Sequence, residues 1–434
     1  MFETIRNAWK VAEIRKKLLF TLLIIIIFRF GSALTVPFLE LSKVQSWMDQ
    51  NATGGNFLEY LNVLTGGALS KATIFSLSIT PYINASIIMQ LLTYAIPPLE
   101  RLQSEGEEGR KRINQITAIV SLGLSIFMSI AYYFTLKNMG AVEYTEGFQG
   151  VFAAVVISAC FVAGAMLVVW MGNRINDKGI GNGISMILFA GIVARFPTDV
   201  GTLVSLTKYL FVSIAIAIVF IVMIGFVVFM NESERRIPIQ YAKRVVGRKQ
   251  YGGQSTHIPV KVCMSGVMPI IFAMAFMSLP STIGMFKAPY ANPEGFWQSF
   301  YNGFLNFFST QSFSYAILYF ILIIAFNYFY VSMQYNPIEI ANQLRQNNGG
   351  IPGIRPGKPT SDYIQRVLSK ITLVGAFFLG IIAIFPIFLG MADENLRSLS
   401  MGGTTMLIVV SVALETVRTL ESQLMMRHHK GFLE

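Results

Sequence analysis

From Ala72 to Ile96 the chain carries no charged side chain. About 20 predominantly apolar residues suffice to cross the hydrocarbon core of a bilayer. Within that core a segment must satisfy its own backbone hydrogen bonds, so the run reads as a spanning helix. It is built unlike a plain anchor. Pro81 lacks a backbone donor and its ring opposes the preceding turn. Thr80, Asn84, Ser86 and Gln90 put hydroxyls and amides where a lipid-facing helix would carry leucine. Either neighbouring helices satisfy these groups, or the segment lines a route that water or a polar substrate enters.

Nine further apolar windows join it: Leu18–Val36, Ile113–Leu136, Val151–Met171, Ile180–Phe196, Tyr209–Met230, Val262–Phe286, Ser312–Met333, Val367–Gly390 and Thr404–Leu420. With 53% hydrophobic and only 13% charged residues, the chain is no soluble domain, in which about a quarter of residues are charged. It reads as an all-α polytopic membrane protein with ten transmembrane helices. Lys and Arg accumulate on the cytoplasmic side of such proteins. Of the 34 here, 26 fall on the side of both termini, 7 on the other, and Arg29 lies inside the first span. Both termini are therefore expected in the cytoplasm, with residues 1–17 and 421–434 as the terminal segments. Residues 1–17 are basic and an apolar run follows, but no A-x-A-like cleavage site does, so the first window is an uncleaved span.

Ten spans divide into 18–200 and 201–420. An odd number per half makes the halves enter the membrane from opposite sides, as in an inverted repeat. Pro81 and Pro269 are expected to interrupt the second span of each half, and the fifth spans, Ile180–Phe196 and Thr404–Leu420, are both short. Such matched irregularities point to a pathway between halves. Between the first two spans, residues 56–71 place Phe57, Tyr60, Leu61 and Leu64 at helical spacing, and Gly66 and Gly67 end the pattern. This short external helix lies at the interface or folds back into a cavity. The connections 231–261 and 334–366 are long and basic. They suit anionic lipid headgroups or an acidic or RNA-rich cytosolic partner, and their length favours the partner, because orienting a helix needs only a few charges.

The chemistry of an enzyme is missing. Gly353 to Pro359 has the wrong spacing for a phosphate loop and Pro where Ser or Thr must hold magnesium; there is no H-E-x-x-H and no G-x-S-x-G. Gly179 to Gly183 is glycine-rich, but it opens a span and close helix packing accounts for it. Cys160 and Cys263 sit in apolar runs and read as core residues, and all three histidines lie outside the spans, so neither a disulfide framework nor a metal or cofactor is expected. Ion-coupled transporters bury carboxylates or histidines as relays, whereas the ten windows hold one carboxylate, Glu415, one turn before Arg418. A solute transporter with inverted repeats is the alternative to a channel for substrates of varied chemistry, and a passive scaffold is the third reading.

Five stretches in order, TGGALSKATIFSLSITPYINASIIMQLL (Thr65–Leu92), GIGNGISMILFAGIVA (Gly179–Ala194), QSTHIPVKV (Gln254–Val262), GVMPIIFA (Gly266–Ala273) and IPGIRPGKPT (Ile351–Thr360), resemble the SecY family along the whole chain. SecY proteins form the channel of the bacterial protein translocon. The resemblance implies two five-helix halves around a central hourglass pore in the plasma membrane. Unfolded polypeptides would cross it, and apolar segments would leave sideways into lipid. It also implies an aliphatic constriction from Ile83, Ile87, Leu188, Ile192, Ile271 and Ile408, with Leu188 in place of the commoner Ile. Tyr60, Leu61, Leu64, Gly66 and Gly67 would belong to a plug, and Thr80, Pro81, Asn84, Gln90 and Pro269 to a lateral gate that answers signal sequences. Arg235, Arg236, Arg248, Lys249 and above all Arg355 would dock the motor ATPase SecA or the ribosome, with SecE and SecG as partner subunits. An aliphatic ring suits such a task, because it offers no binding site, dewets when empty and yields around a passing chain.

Overall fold

The computed structural model describes residues 2–51, 62, 65–206, 210–241, 244–246, 249–251, 255–286, 295–308, 312–392 and 402–430. These form α1 (Phe2–Lys10), α2 (Ala12–Gly31), α3 (Leu41–Asn51), α4 (Thr80–Ala95), α5 (Pro97–Ser104), α6 (Glu107–Asn138), α7 (Gly147–Lys178), α8 (Gly183–Leu206) and α9 (Leu210–Glu232). Four strands follow, β1 (Glu234–Tyr241), β2 (Arg244–Val246), β3 (Lys249–Tyr251) and β4 (Ser255–Lys261). The chain continues through α10 (Met268–Phe286), α11 (Phe296–Phe307), α12 (Phe313–Gln334), α13 (Pro337–Gln346), β5 (Gly349–Gly350), α14 (Lys358–Ala392) and α15 (Gly402–Lys430).

A helix lies in each of the ten apolar windows: α2, α4, α6, α7, α8, α9, α10, α12, α14 and α15. Among the described residues, Glu107–Asn138, Gly147–Lys178, Phe313–Gln346 and Lys358–Phe385 are long and apolar enough to cross a membrane by length and composition.

The second window departs from expectation. Residues 65–79 form turns, and α4 spans only 16 residues, about 24 Å at ~1.5 Å per residue, short of a ~30 Å hydrocarbon core. Pro81 does not interrupt a helix. It occupies the second position of α4, where a backbone donor would be unpaired anyway. Pro269 has the same place in α10. The match extends into the backbone. Two residues before each helix stands a positive φ, 47° at Ser78 and 59° at Gly266. The amides of Ser78 and Gly266 each donate to the carbonyl three residues back, Phe75 and Cys263. Ile83 N donates to the Ile79 carbonyl and Ile271 N to that of Val267.

Cα packing divides the chain into two compact units, Met1–Ile214 with Ala275–Ala316 and Pro386–Glu434, and Ala215–Met274 with Ile317–Phe385. In the first, the turn residues Leu69, Ala72 and Leu77 pack with Met128, Tyr132 and Leu136 of α6 and Ile157 and Phe161 of α7. Gly164 on α7 permits that approach, since a Cβ there would lie 1.9 Å from the Ile74 carbonyl oxygen. A second cluster joins Ile24 and Phe28 of α2 to Phe75, Ile79, Val168 and Ile187. In the second unit the two long connections fold together. β1 pairs antiparallel with β4 and, at Gln240 and Tyr241, with β5. Ile237, Ile239 and Val260 pack against Leu344 of α13, Ile351, and Ile364 and Leu368 of α14. Asn327 of α12, 2% exposed, donates to the Thr372 carbonyl of α14 at 2.9 Å and accepts from the Ser265 hydroxyl, which fixes the turn before α10.

Ser78 is an uncomfortable residue at a place where the equivalent position in α10 has glycine. A non-glycine side chain in the left-handed region costs about 1–2 kcal/mol, and its buried Oγ has no hydrogen-bond partner. Ser78→Gly is therefore expected to raise stability by about 1 kcal/mol, after the entropy of a freer unfolded chain is subtracted. Thermal unfolding in detergent checks this, and a lower Tm contradicts it.

Candidate channel site

Most of the expected constriction residues lie on three helices of the first unit. On α4, Ile83 and Ile87 are four residues apart and share one helix face. Ile87 is 7% exposed, while Ile83 is half-buried and packs on the cluster of Ile24, Phe28 and Ile187. Between them Asn84 is buried, and the Gln90 amide donates to the Ser86 hydroxyl at 3.3 Å, so this part of the polar face satisfies itself within the helix. Thr80 is half-buried and Pro81 buried at the start of α4.

The glycine-rich turn sets where α8 begins. Asn182 Oδ1 accepts from the amides of Ile184 (3.1 Å) and Ser185 (3.4 Å), as an N-cap does. Asn176 Oδ1 accepts from Gly183 N at 2.7 Å, and the Thr21 hydroxyl of α2 accepts from Ile180 N at 3.2 Å. Gly183 lies so close to α7 that a Cβ would meet the Gly172 carbonyl oxygen at 1.9 Å. From that fixed start, Leu188 and Ile192 fall four residues apart and both are buried, as is Ile408 on α15, which packs on α8. Ile271 and Pro269, on α10, belong to the second unit, where Ile271 is half-buried.

The end of the expected plug meets this region directly. Gly66 and Gly67 have φ of 67° and 84°, conformations that glycine adopts without steric cost. At Gly66 a Cβ would sit 2.6 Å from the Gly191 carbonyl oxygen of α8 and 2.8 Å from Nη1 of Arg29. That nitrogen is buried and has no hydrogen-bond partner. The first span's charge thus turns this nitrogen into the protein beside Gly66. Asn62 organises the turn: its carbonyl accepts from Gly67 N at 2.8 Å and its Oδ1 from Ser70 N at 2.9 Å. Tyr132 of α6 donates its hydroxyl to the Leu69 carbonyl at 2.8 Å, and Ser76 donates to the carbonyls of Ala68 and Thr73. Tyr60, Leu61 and Leu64 lie outside the described residues. Sequence reasoning missed Arg29, Asn62 and Tyr132 as holders of this segment. A charged residue inside a span was the one signal available, and for Tyr132 there was none.

Of the expected docking residues, Arg235 and Arg236 lie exposed on β1, where Arg236 Nε contacts Glu234 at 2.7 Å. Arg355 is exposed on a turn between Gly353 (φ 82°) and Gly357 (φ 105°), and its carbonyl accepts from the Thr360 hydroxyl at 2.8 Å. Arg248 is outside the described residues, and Lys249 belongs to β3. Among the described residues no cluster of three or more His, Cys, Asp or Glu forms that would hold a metal.

A mostly helical, multi-pass membrane protein, with buried aliphatic residues set beside a hydrogen-bonded non-helical insert, is the class these elements define. The SecY family profile matches residues 73–417. The protein translocase subunit SecY of Mycobacterium tuberculosis is 39% identical over 444 residues, covering all of both chains. A solved structure described as the plug domain of SecY stabilising the closed state of the translocation channel superposes with a TM-score of 0.61 at 17% identity, over 96% of each chain. Sec61 in the canine ribosome-channel complex gives 0.58 at 16% identity, again over 96% of each. The chain belongs to the SecY family.

Two substitutions probe the insert. Gly66→Ala is expected to displace residues 66–70, because neither the Gly191 backbone nor the φ of 67° accommodates a methyl. The reconstituted protein should then leak a small dye faster than wild type, and an unchanged leak would refute the seat against α8. Tyr132→Phe leaves the buried Leu69 carbonyl without its donor and should cost about 1–2 kcal/mol, read as a fall in Tm.

Proposed function

We propose that the chain is a protein-conducting channel of the bacterial plasma membrane. It passes unfolded secretory polypeptides and releases transmembrane segments through a lateral gate. The full-length identity to a translocase subunit SecY carries this reading. Ile83, Ile87, Leu188, Ile192, Ile271 and Ile408 form the constriction. Their side chains are uncharged and bulky, so they exclude ions at rest and offer a passing chain no site at which to stick. Residues 56–71 plug the outer side. The hydrogen bonds of Asn62, Ser76 and Tyr132 support a defined resting position for that segment. Thr80, Pro81 and Asn84 with Gln90 on α4, and Pro269 on α10, belong to the gate, where an apolar signal helix replaces polar seam contacts and so shifts the closed–open equilibrium.

Both termini are cytoplasmic, and the halves are 18–200 and 201–420. Energy comes from partners. Arg235, Arg236, Arg248, Lys249 and Arg355 engage SecA or the ribosome, and SecE and SecG complete the complex. Exposure of Arg235, Arg236 and Arg355 supports that role, since exposed guanidinium groups are free to meet acidic or phosphate groups of a partner.

A photo-crosslinking residue at Ile87 is expected to attach a stalled secretory chain only when that chain carries its signal sequence. Absence of attachment in well-folded, partner-bound protein, with a lipid-facing control behaving normally, would remove Ile87 from the constriction. Arg355→Glu should lower both partner binding and translocation about tenfold, with a defect that depends on ionic strength. Lost translocation with binding intact would assign Arg355 another role.

A further inference from the structure

Helix α11 is amphipathic, but it faces the wrong way for a helix in water. At 100° per residue, Phe296, Phe307, Phe300, Phe304 and Trp297 fall on one arc of about 100°, and Gln298, Asn302, Asn306 and Ser299 lie opposite. A water-soluble protein would seat α11 by its aromatic arc. Here most of that arc is bare: Phe296 and Trp297 are each 78% exposed, Phe300 58% and Phe307 47%, while Phe304 is half-buried against Phe308. The rings of Phe296, Trp297 and Phe300 touch one another at 6.0–6.4 Å between centroids and form a ledge. The other side is attached, since Gln298, Tyr301 and Asn302 are half-buried and each makes a polar or ring contact.

We infer that α11 is an interfacial helix that lays its aromatic arc into the headgroup and upper acyl region of the outer leaflet. Several observations select lipid. At 12 residues, about 18 Å, the helix is too short to cross and must lie along the surface. It joins the outer ends of two spans, on the side that carries few Lys and Arg, and α12 begins six residues after it ends. It has no charged residue with which to match an acidic or basic protein. Its bare arc also lacks the small residues through which helices pack on one another in membranes. Trp, whose ring is amphipathic, together with Phe is the composition of the apolar face of an interfacial helix. Because residues 287–295 tether α11 to α10, the ledge ties the outer end of the proposed gate helix to the bilayer surface.

The test uses the full chain with its partner subunits in vesicles, with Trp9, Trp47 and Trp170 replaced by Phe so that Trp297 is the sole reporter in this chain and background from the partners is subtracted. Retained translocation shows that the triple variant folds. Lipids brominated near the carbonyl end of the acyl chains should quench Trp297 at least about twofold more than lipids brominated near the methyl end, and aqueous iodide should quench it weakly. Strong iodide quenching without lipid quenching would place the ledge in water. Protection from both quenchers would mean that protein covers it. Either result overturns the inference, and a nitroxide at Phe300, read by oxygen against aqueous nickel accessibility, gives the same decision without the tryptophan replacements.

Discussion

Backbone amides cannot be left unpaired at membrane depth, and the first unit is arranged around a stretch that is not a helix. Residues 65–79 break the rule that spanning segments pair within themselves. Some of their donors and acceptors meet within the turns, as Ser78 N and the Phe75 carbonyl do, and others are met from outside: by Asn62 from the chain before, by Tyr132 from α6, and after α2 by the Leu34 carbonyl, which accepts from Ile74 N, and by Val36 N, which donates to the Ala72 carbonyl. Each missing partner would cost about 1–3 kcal/mol in a buried setting. The surrounding helices therefore supply a lining of hydroxyls and carbonyls where lipid would supply none. Ser125, Ser129 and Thr135 on α6 are also buried, but they donate to helix carbonyls: Ser125 to Leu122 and Thr135 to Ala131 on α6 itself, and Ser129 to Ser158 of α7.

That insert decides where α4 can start and hence which side chains it presents. Once residues 72–79 are committed to turns, Pro81 tolerates only a start at its own position, and Ile83 and Ile87 follow in register. The same economy of space operates at α8, where Gly172 and Gly183 allow backbone contact and Gly66 approaches Gly191. The price of that closeness is a guanidinium nitrogen of Arg29 held away from water without a partner. A seated insert therefore rests against a group that gains hydration when the insert leaves. Tight packing and an unpaired charge together make a contact that is well defined and not deeply stable.

Much of this was legible in the chain. The apolar windows and the glycine-rich approach at Gly179 to Gly183 each follow from local composition, and each corresponds to an element of the expected kind. The sheet was readable in principle, because Ile237 and Ile239 alternate with polar residues. Pro238 and the run of arginines hid it, since proline demotes a strand reading and charge favours a loop. What no local pattern carried were partners distant in sequence: Tyr132 for Leu69 and Asn327 for Ser265. Those pairs depend on which helices neighbour one another, and a polar residue in an apolar run does not say which carbonyl it will find. The helical reading of residues 72–79 failed for a related reason. Hydropathy detects burial, and burial against protein looks the same as burial against lipid.

The beginnings of α4 and α10 bring these strands of argument together. Ser78-Ile79-Thr80-Pro81 and Gly266-Val267-Met268-Pro269 have the same positive φ two residues before the helix, the same proline at its second position and the same pair of flanking hydrogen bonds. Sequence identity between the two tetrapeptides is limited to the proline. Shared backbone geometry without shared side chains is what remains of a repeat when stability is required of the backbone and the side chains have been free to diverge. It also places Ile83 and Ile271 at equivalent points, each the fourth residue of its helix. The strain at Ser78, absent at Gly266, leaves α4 with the less relaxed start of the two.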